Sequence, residues 1–205
     1  MKEHVLVDAA SLAATLARCC DALEAAAPEL NALDGRLGDG DLGTTLSKCA
    51  MNLRELLAAP PTALDALLKG CAQACARASG SSFGTLLAVA FLTAAKGTGE
   101  RAALDRAALV ELLDGVGAAL SQRGGAVPGD KTMLDSLAAI AGALRDAHET
   151  TPAALKAKVR AAAQEALDAF RNRPNRIGRA RMFAERSIGL DDPGMVAMQR
   201  LVQAF

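Results

Sequence analysis

The sequence predicts an all-α fold, a bundle of about eight helices, and three observations carry that prediction. Ala and Leu dominate while β-branched residues are sparse, which favours helix over strand. Apolar residues recur three and four apart in one segment after another. Between those segments stand Gly, Pro, Asp, Ser and Thr, the residues that cap, start and stop helices. No period-2 strand and no internal repeat competes.

The first helix is expected over 8–27, with Asp8 as N-cap and Pro28 after its end. A second spans 44–58, with Leu46, Cys49, Leu53, Leu56 and Leu57 along one stripe and Pro60 and Pro61 as the stop. A third runs over 62–78, capped by Thr62. The segment 83–96 is apolar nearly all round, so it is expected at the centre of the core. Residues 105–123 place Leu109, Leu112, Leu113, Val116 and Leu120 at helical spacing, and 131–148 make a further helix. Over 152–171, Thr151 caps and Pro152 occupies the first turn; Leu155, Val159, Ala162, Ala166 and Phe170 mark the inner face. A last helix starts at 193 behind Asp192 and runs to the end. Four loops, 34–43, 79–82, 124–130 and 172–193, are richer in Gly, Asp, Ser or Arg than their flanks, and alternating helices would gather some of them at one end.

Composition narrows the function classes. The 205 residues suit a single domain over 1–205, and 51% hydrophobic with 22% charged residues is globular rather than disordered. Lys+Arg and Asp+Glu both number 23, which argues against a strongly basic nucleic-acid binder or a polybasic membrane protein. Trp and Tyr are absent and Phe numbers five, too few for a base-stacking surface. Cys19, Cys20, Cys49, Cys71 and Cys75 form no CxxC pair and read as small buried apolar residues in a reducing, cytoplasmic setting. His4 and His148 are too few for a His-rich zinc site or a Ser-His-Asp triad. Neither a signal peptide nor an apolar run long enough to span a bilayer is visible.

The sharpest chemistry lies in Asp34-Gly35-Arg36-Leu37-Gly38-Asp39-Gly40-Asp41-Leu42-Gly43-Thr44-Thr45. Three carboxylates this close repel unless a cation neutralises them, and the glycines let the backbone curl so that their oxygens converge. With only oxygen donors the cation would be hard, Mg²⁺ or Ca²⁺. The EF-hand spacing fails: the twelfth position from Asp39 is Ala50 and from Asp34 is Thr45. Mg²⁺ with phosphate fits better, because a helix starting near Gly43 offers free N–H groups and Thr44 and Thr45 add hydroxyls. An ordinary polar turn ending in a helix cap is the alternative.

Three other segments leave their alternatives open. Gly124-Gly125-Ala126-Val127-Pro128-Gly129-Asp130-Lys131-Thr132 is not a P-loop, because Asp130 stands between Gly and Lys and no strand precedes it. It is either a glycine loop beside a nucleotide or a plain connection with Asp130 as N-cap. Ala78-Ser79-Gly80-Ser81-Ser82 admits a phosphate or a flat base, or simply caps the next helix. Arg171, Arg173, Arg176, Arg179 and Arg181 offer phosphate forks or a solvated basic loop, and Asp191-Asp192-Pro193-Gly194 is explained by capping alone.

Taken together and in order, Gly38-Asp39-Gly40-Asp41-Leu42-Gly43-Thr44, Ala78-Ser79-Gly80, Pro128-Gly129-Asp130-Lys131-Thr132-Met133, and Arg186-Ser187-Ile188-Gly189 with Asp192-Pro193-Gly194 resemble the nucleotide-binding L subunit, or kinase domain, of dihydroxyacetone kinases. The resemblance covers about residues 8–205. It implies an eight-helix antiparallel up-and-down barrel that binds ADP or ATP at one end, with Asp34, Asp39 and Asp41 holding two Mg²⁺ ions against the phosphates. It further implies nucleotide contacts at Leu42, Gly43, Thr44, Thr45, Ala78, Ser79, Gly124, Met133, Asp192, Pro193 and Gly194, and it makes Arg179 a phosphate ligand. The family often has His where this chain has Leu42, which removes a side-chain contact near the nucleotide.

The same resemblance implies a missing half. In the family the ketose is held covalently by a His of a separate K subunit or domain, for which a chain of this length has no room. The expected role is therefore phosphoryl donor, with transfer driven by positioning and charge neutralisation. Two donor modes exist in the family. Either ADP stays bound and is rephosphorylated by a phosphoprotein of the phosphotransferase system (the M subunit), or ATP exchanges freely. Dihydroxyacetone and related small ketoses such as erythrulose are the expected acceptors. The rival is a nucleotide-sensing regulator of the same fold with no transfer of its own.

Overall fold

Pro28 does not end the first helix. In the computed structural model, which describes residues 6–78, 82–149 and 151–205, α1 runs unbroken from Ala9 to Leu37. Proline in a helix interior withdraws one N–H bond and crowds the carbonyl four residues back, here that of Glu24. The buried stripe Leu16, Cys19, Cys20, Leu23, Ala26, Leu30 and Leu37 continues through it and keeps the helix intact. This moves Asp34 from the expected loop into the last turn of α1.

Seven more α-helices follow among the described residues: α2 (Leu42–Leu57), α3 (Leu64–Arg77), α4 (Ser82–Thr98), α5 (Arg106–Gly124), α6 (Met133–Arg145), α7 (Pro152–Arg171) and α8 (Pro193–Gln203). Each packs against its neighbours in sequence, and α8 returns to α1, so the bundle closes into a ring. Most connections are short, which makes the helices they join antiparallel; the long exception is 172–192, between α7 and α8. Two short strands and two 3₁₀ turns were not expected. Val7–Asp8 pairs antiparallel with Ala103–Leu104, a two-residue contact too short to leave a periodic signal. The segment after α7 contains two 3₁₀ turns, Arg179–Phe183 and Glu185–Ser187.

The caps explain most starts. Asp8 and Ser11 form a capping box on α1, Asp105 caps α5, Thr151 caps α7 ahead of Pro152, and Asp192 caps α8 ahead of Pro193. Thr132, not Asp130, caps α6 in a box with Asp135, while Asp130 Oδ2 accepts from the Val127 amide 2.9 Å away. Thr62 caps nothing: α3 starts at Leu64 behind Ala63 with no side-chain cap. The apolar α4 is not fully enclosed. It packs mainly on α3 and α5, and Leu92 is exposed, because in a closed ring every helix has an outer face. The five cysteines are all buried and free.

The tightest joint is α1 against α2. A Cβ on Gly43 would stand 2.0 Å from the Ala27 carbonyl oxygen, so only glycine lets the two backbones approach this closely. Leu30, Leu42, Leu46, Met195 and Ala197 then fill the space between α1, α2 and α8.

Candidate functional site

One end of the barrel is open. A cavity of about 820 Å³ lies there, lined by the first residues of α2, α4, α6 and α8 and the last residues of α1 and α5. Alternation thus places even-numbered starts and odd-numbered ends around one mouth. From the expected set the cavity gathers Asp34, Asp39, Asp41 and Leu42 on one side. Gly124, Met133, Arg179, Asp192, Pro193 and Gly194 complete its wall.

The carboxylates are arranged by their own loop. Asp34 Oδ2 accepts the amides of Asp41 (2.9 Å) and Leu42 (3.2 Å), so it caps α2 from across the turn. Asp41, the formal N-cap, makes no side-chain cap bond and keeps its carboxylate out of that work. Gly40 has φ 75°, which an L side chain rarely adopts, and a Cβ on Gly38 would lie 2.8 Å from Asp34 Oδ1. As a result Asp34, Asp39 and Asp41 each present an oxygen within 4.8 Å of the others. An all-oxygen set this close fits a hard divalent cation. Arg179 reaches across from the 3₁₀ turn and ion-pairs with Asp39.

Four expected contacts lie elsewhere. Gly43 faces Ala27, as described above. Thr44 is exposed but engaged: Asn31 Oδ1 accepts its amide (3.0 Å) and Asn31 Nδ2 donates to its hydroxyl (3.1 Å). Thr45 is buried, its amide bonded to the Asp41 carbonyl at 2.9 Å. With Leu42 and Thr44 amides already taken by side chains of α1, the start of α2 offers fewer donors than its sequence suggests. Ala78 ends α3, buried, with its amide on the Cys75 carbonyl, and lies outside the cavity lining. Ser79 falls outside the described residues. Leu42 is buried among apolar neighbours and brings no polar group to the mouth.

Sequence reasoning missed part of the wall. Phe83 and Leu86 open α4 onto the cavity, Thr132 joins Met133, and Arg123 and Arg181 add two further cations. Arg181 was visible only as one of a cluster. The cluster itself divides: Arg171 pairs with Asp191 at 2.7 Å and with Asp168, and Arg173 stacks on Phe170 at 4.4 Å. Lys131 is no phosphate ligand, because its ammonium is consumed by three backbone carbonyls.

Asp192 stands buried at the mouth. Burial pushes its carboxyl up to about 6, against bonds from the Met195 amide and the Asn175 side chain that favour the charge. Its folded value lies above its unfolded one, so the proton is held only by the folded state in between. The stability this contributes is present at low pH and lost as pH rises from about 4 to about 6. Asp192→Asn keeps an oxygen for the Met195 cap and removes the titration. Urea unfolding from pH 4 to 7 should show the unaltered protein losing about 3 kcal/mol relative to the variant over that window; parallel pH profiles would mean Asp192 does not titrate there.

The fold and site define the class of protein: an all-α barrel with a carboxylate cluster, an opposing arginine and a large cavity at one end. The chain belongs to the DAK2 domain family, whose profile matches residues 36–205. It is 32% identical over 193 residues to the PEP-dependent dihydroxyacetone kinase, ADP-binding subunit DhaL of Escherichia coli, covering 92% of this chain and 91% of that protein. It is 34% identical over 198 residues to the human triokinase/FMN cyclase and 32% identical over 184 residues to the L-erythrulose 1-kinase of Mycolicibacterium smegmatis. The matches cover 95% and 86% of this chain but only 34% and 32% of those proteins, so it spans about a third of their length. The crystal structure of the dihydroxyacetone kinase of C. freundii superposes over 100% of this chain and 35% of its own, with a TM-score of 0.76 at 25% identity. The same enzyme in complex with AMP-PNP and Mg²⁺ gives 0.75, also at 25% identity, over 99% of this chain and 34% of its own. Among the described residues no helix is long and apolar enough to cross a membrane.

Proposed function

We propose that the chain is the nucleotide-binding, phosphoryl-donor half of a kinase for dihydroxyacetone or a similar small ketose. Its acceptor would be held by a separate ketose-binding K subunit. The observation that carries this is the convergence of Asp34, Asp39 and Asp41 opposite Arg179 in one cavity of about 820 Å³, roomy enough for a nucleotide. The E. coli relative of nearly equal length, an ADP-binding subunit, supports the division of labour. The C. freundii complex with AMP-PNP and Mg²⁺ supports the ligand pair.

In this reading Asp34, Asp39 and Asp41 would hold two Mg²⁺ ions, whose charge would offset that of the phosphates. Arg179 leaves its ion pair with Asp39 and forks onto phosphate oxygens. Phe83, Leu86 and Met133 offer apolar surface to the base, and Gly124 and Gly194 keep the walls thin beside it. The chain's own residues then do no proton transfer: they position the donor, and the acceptor hydroxyl and its base come from the K subunit. Either ADP stays bound and is recharged by a phosphotransferase-system phosphoprotein, the M subunit, or ATP exchanges.

With no Trp and no Tyr the protein barely absorbs in the near ultraviolet, so bound adenine dominates its spectrum. Protein purified in Mg²⁺ should carry or take up adenine nucleotide, and excess chelator should release at least nine-tenths of it, because phosphates would then face bare carboxylates. Retention in chelator would sink the two-metal site. Adding a K subunit and dihydroxyacetone should give turnover; binding without turnover would favour the nucleotide sensor.

A further inference from the structure

Lys131 departs twice from what a lysine ordinarily does. It is the one non-glycine residue among those described with a positive φ, 63°, a left-handed backbone that costs free energy. Its side chain is wholly buried, which is tolerated only when the ammonium's donors are satisfied. They are: Nζ donates to the carbonyls of Arg171 (3.0 Å), Arg173 (2.8 Å) and Ser187 (2.8 Å). Those carbonyls stand at the two ends of the segment that carries Arg179. Burial pushes the Lys131 pKa down while the nearby Asp192 and Asp191 carboxylates pull it back up.

The rest of the knot points the same way. The Lys131 carbonyl accepts from Asn175 Nδ2 (2.8 Å), which also donates to Asp192 Oδ2 (2.8 Å). The Asn175 amide donates to Ser187 Oγ (2.8 Å), and the Arg176 amide donates to the Asp130 carbonyl (3.1 Å). The arginine segment is therefore cinched at its base, by Lys131 and Asp130 ahead of α6, by Asp192 ahead of α8 and by the Asn175–Ser187 bond within the segment.

We propose that Lys131 is a positioning residue: its ammonium draws both ends of the 171–187 segment onto the start of α6 and thereby fixes Arg179 and Arg181 at the rim of the cavity. The ligand side of this rests on the nucleotide reading above; the cinch itself does not.

The segment reports on itself, because trypsin cuts after Arg176, Arg179, Arg181 and Arg186. Lys131→Met keeps the apolar stem and removes the donors. In ligand-free protein whose helices remain intact by circular dichroism, it should raise tryptic cleavage in the segment at least tenfold. It should also weaken Mg-ADP binding at least tenfold, yet less than twofold in an Arg179→Ala background, since the two residues act through one contact. Unchanged cleavage overturns the cinch. An equal affinity loss in both backgrounds overturns the action through Arg179. Should Lys131→Met fail to fold, Asn175→Ala cuts the same knot without touching a charge and is held to the same two criteria. If the unaltered protein binds no Mg-ADP, the nucleotide reading falls with its Arg179 arm, and proteolysis still decides the cinch.

Discussion

Gly43→Ala destabilises the protein by about 3 kcal/mol or more, the cost of forcing a methyl group into a packed backbone contact. The methyl would sit 2.0 Å from the Ala27 carbonyl oxygen and 2.8 Å from the Ala27 carbonyl carbon, and neither atom can swing aside as a side-chain tip would. Relief requires α1 and α2 to part, which opens the apolar layer that Leu30, Leu42 and Leu46 form. For a chain of this size the expected fall in melting temperature is about 10 °C. Gly142→Ala is the internal control. It lies inside α6, and a Cβ there would meet no atom within 4 Å, so it should raise stability by up to about 1 kcal/mol. A Gly43→Ala protein that melts with the unaltered one would mean that the helices are not held this closely.

Asp41→Asn should abolish Mg-nucleotide binding, with a loss of about 100-fold or more, about 2.7 kcal/mol, while leaving the fold intact. Its carboxylate makes no cap bond, and its loss relieves repulsion from Asp34 and Asp39. The ligand-free melting temperature should therefore stay level or rise. Asp34→Ala is the contrast. It strips the amides of Asp41 and Leu42 of their acceptor and should cost about 1 kcal/mol of stability as well as the ligand. Titration calorimetry with Mg-ADP and a melting curve without metal separate the two. Equal destabilisation by both changes would show that the carboxylates hold the turn rather than a cation.

Much of the fold was legible because it is written in local signals. Caps at Asp8, Thr151 and Asp192 and apolar spacing mark helix starts and faces that any single segment reveals. What escaped depends on distant partners. Pro28 reads as a stop, and only the packing of Leu30 and Leu37 keeps α1 going. The segment 83–96 reads as a central helix, and only closure of the ring gives it an outer face. In the site, the three aspartates stand out by spacing, and the family resemblance carried by the ordered motifs points to Arg179, Met133 and Asp192. Asn31 gave no signal, yet it occupies the Thr44 groups that spacing had reserved for a phosphate. Lys131 gave none either: its segment is not a P-loop, and nothing local says that three carbonyls forty to fifty-six residues away consume its ammonium.

Closure of the ring also fixes where the chain leaves it. The Ala204 carbonyl accepts from Arg18 Nε at 2.9 Å, so the tail of α8 lies beside the first third of α1. From Arg18 to Leu37, where α1 meets the cavity, is about 28 Å along the helix. Both ends of the barrel's backbone thus emerge at the floor, remote from the mouth. A protein joined to Phe205 by a linker would have to run the height of the barrel before touching the cavity, at least about nine extended residues. A partner arriving as a separate chain meets no such tether and is free to dock on the rim head-on.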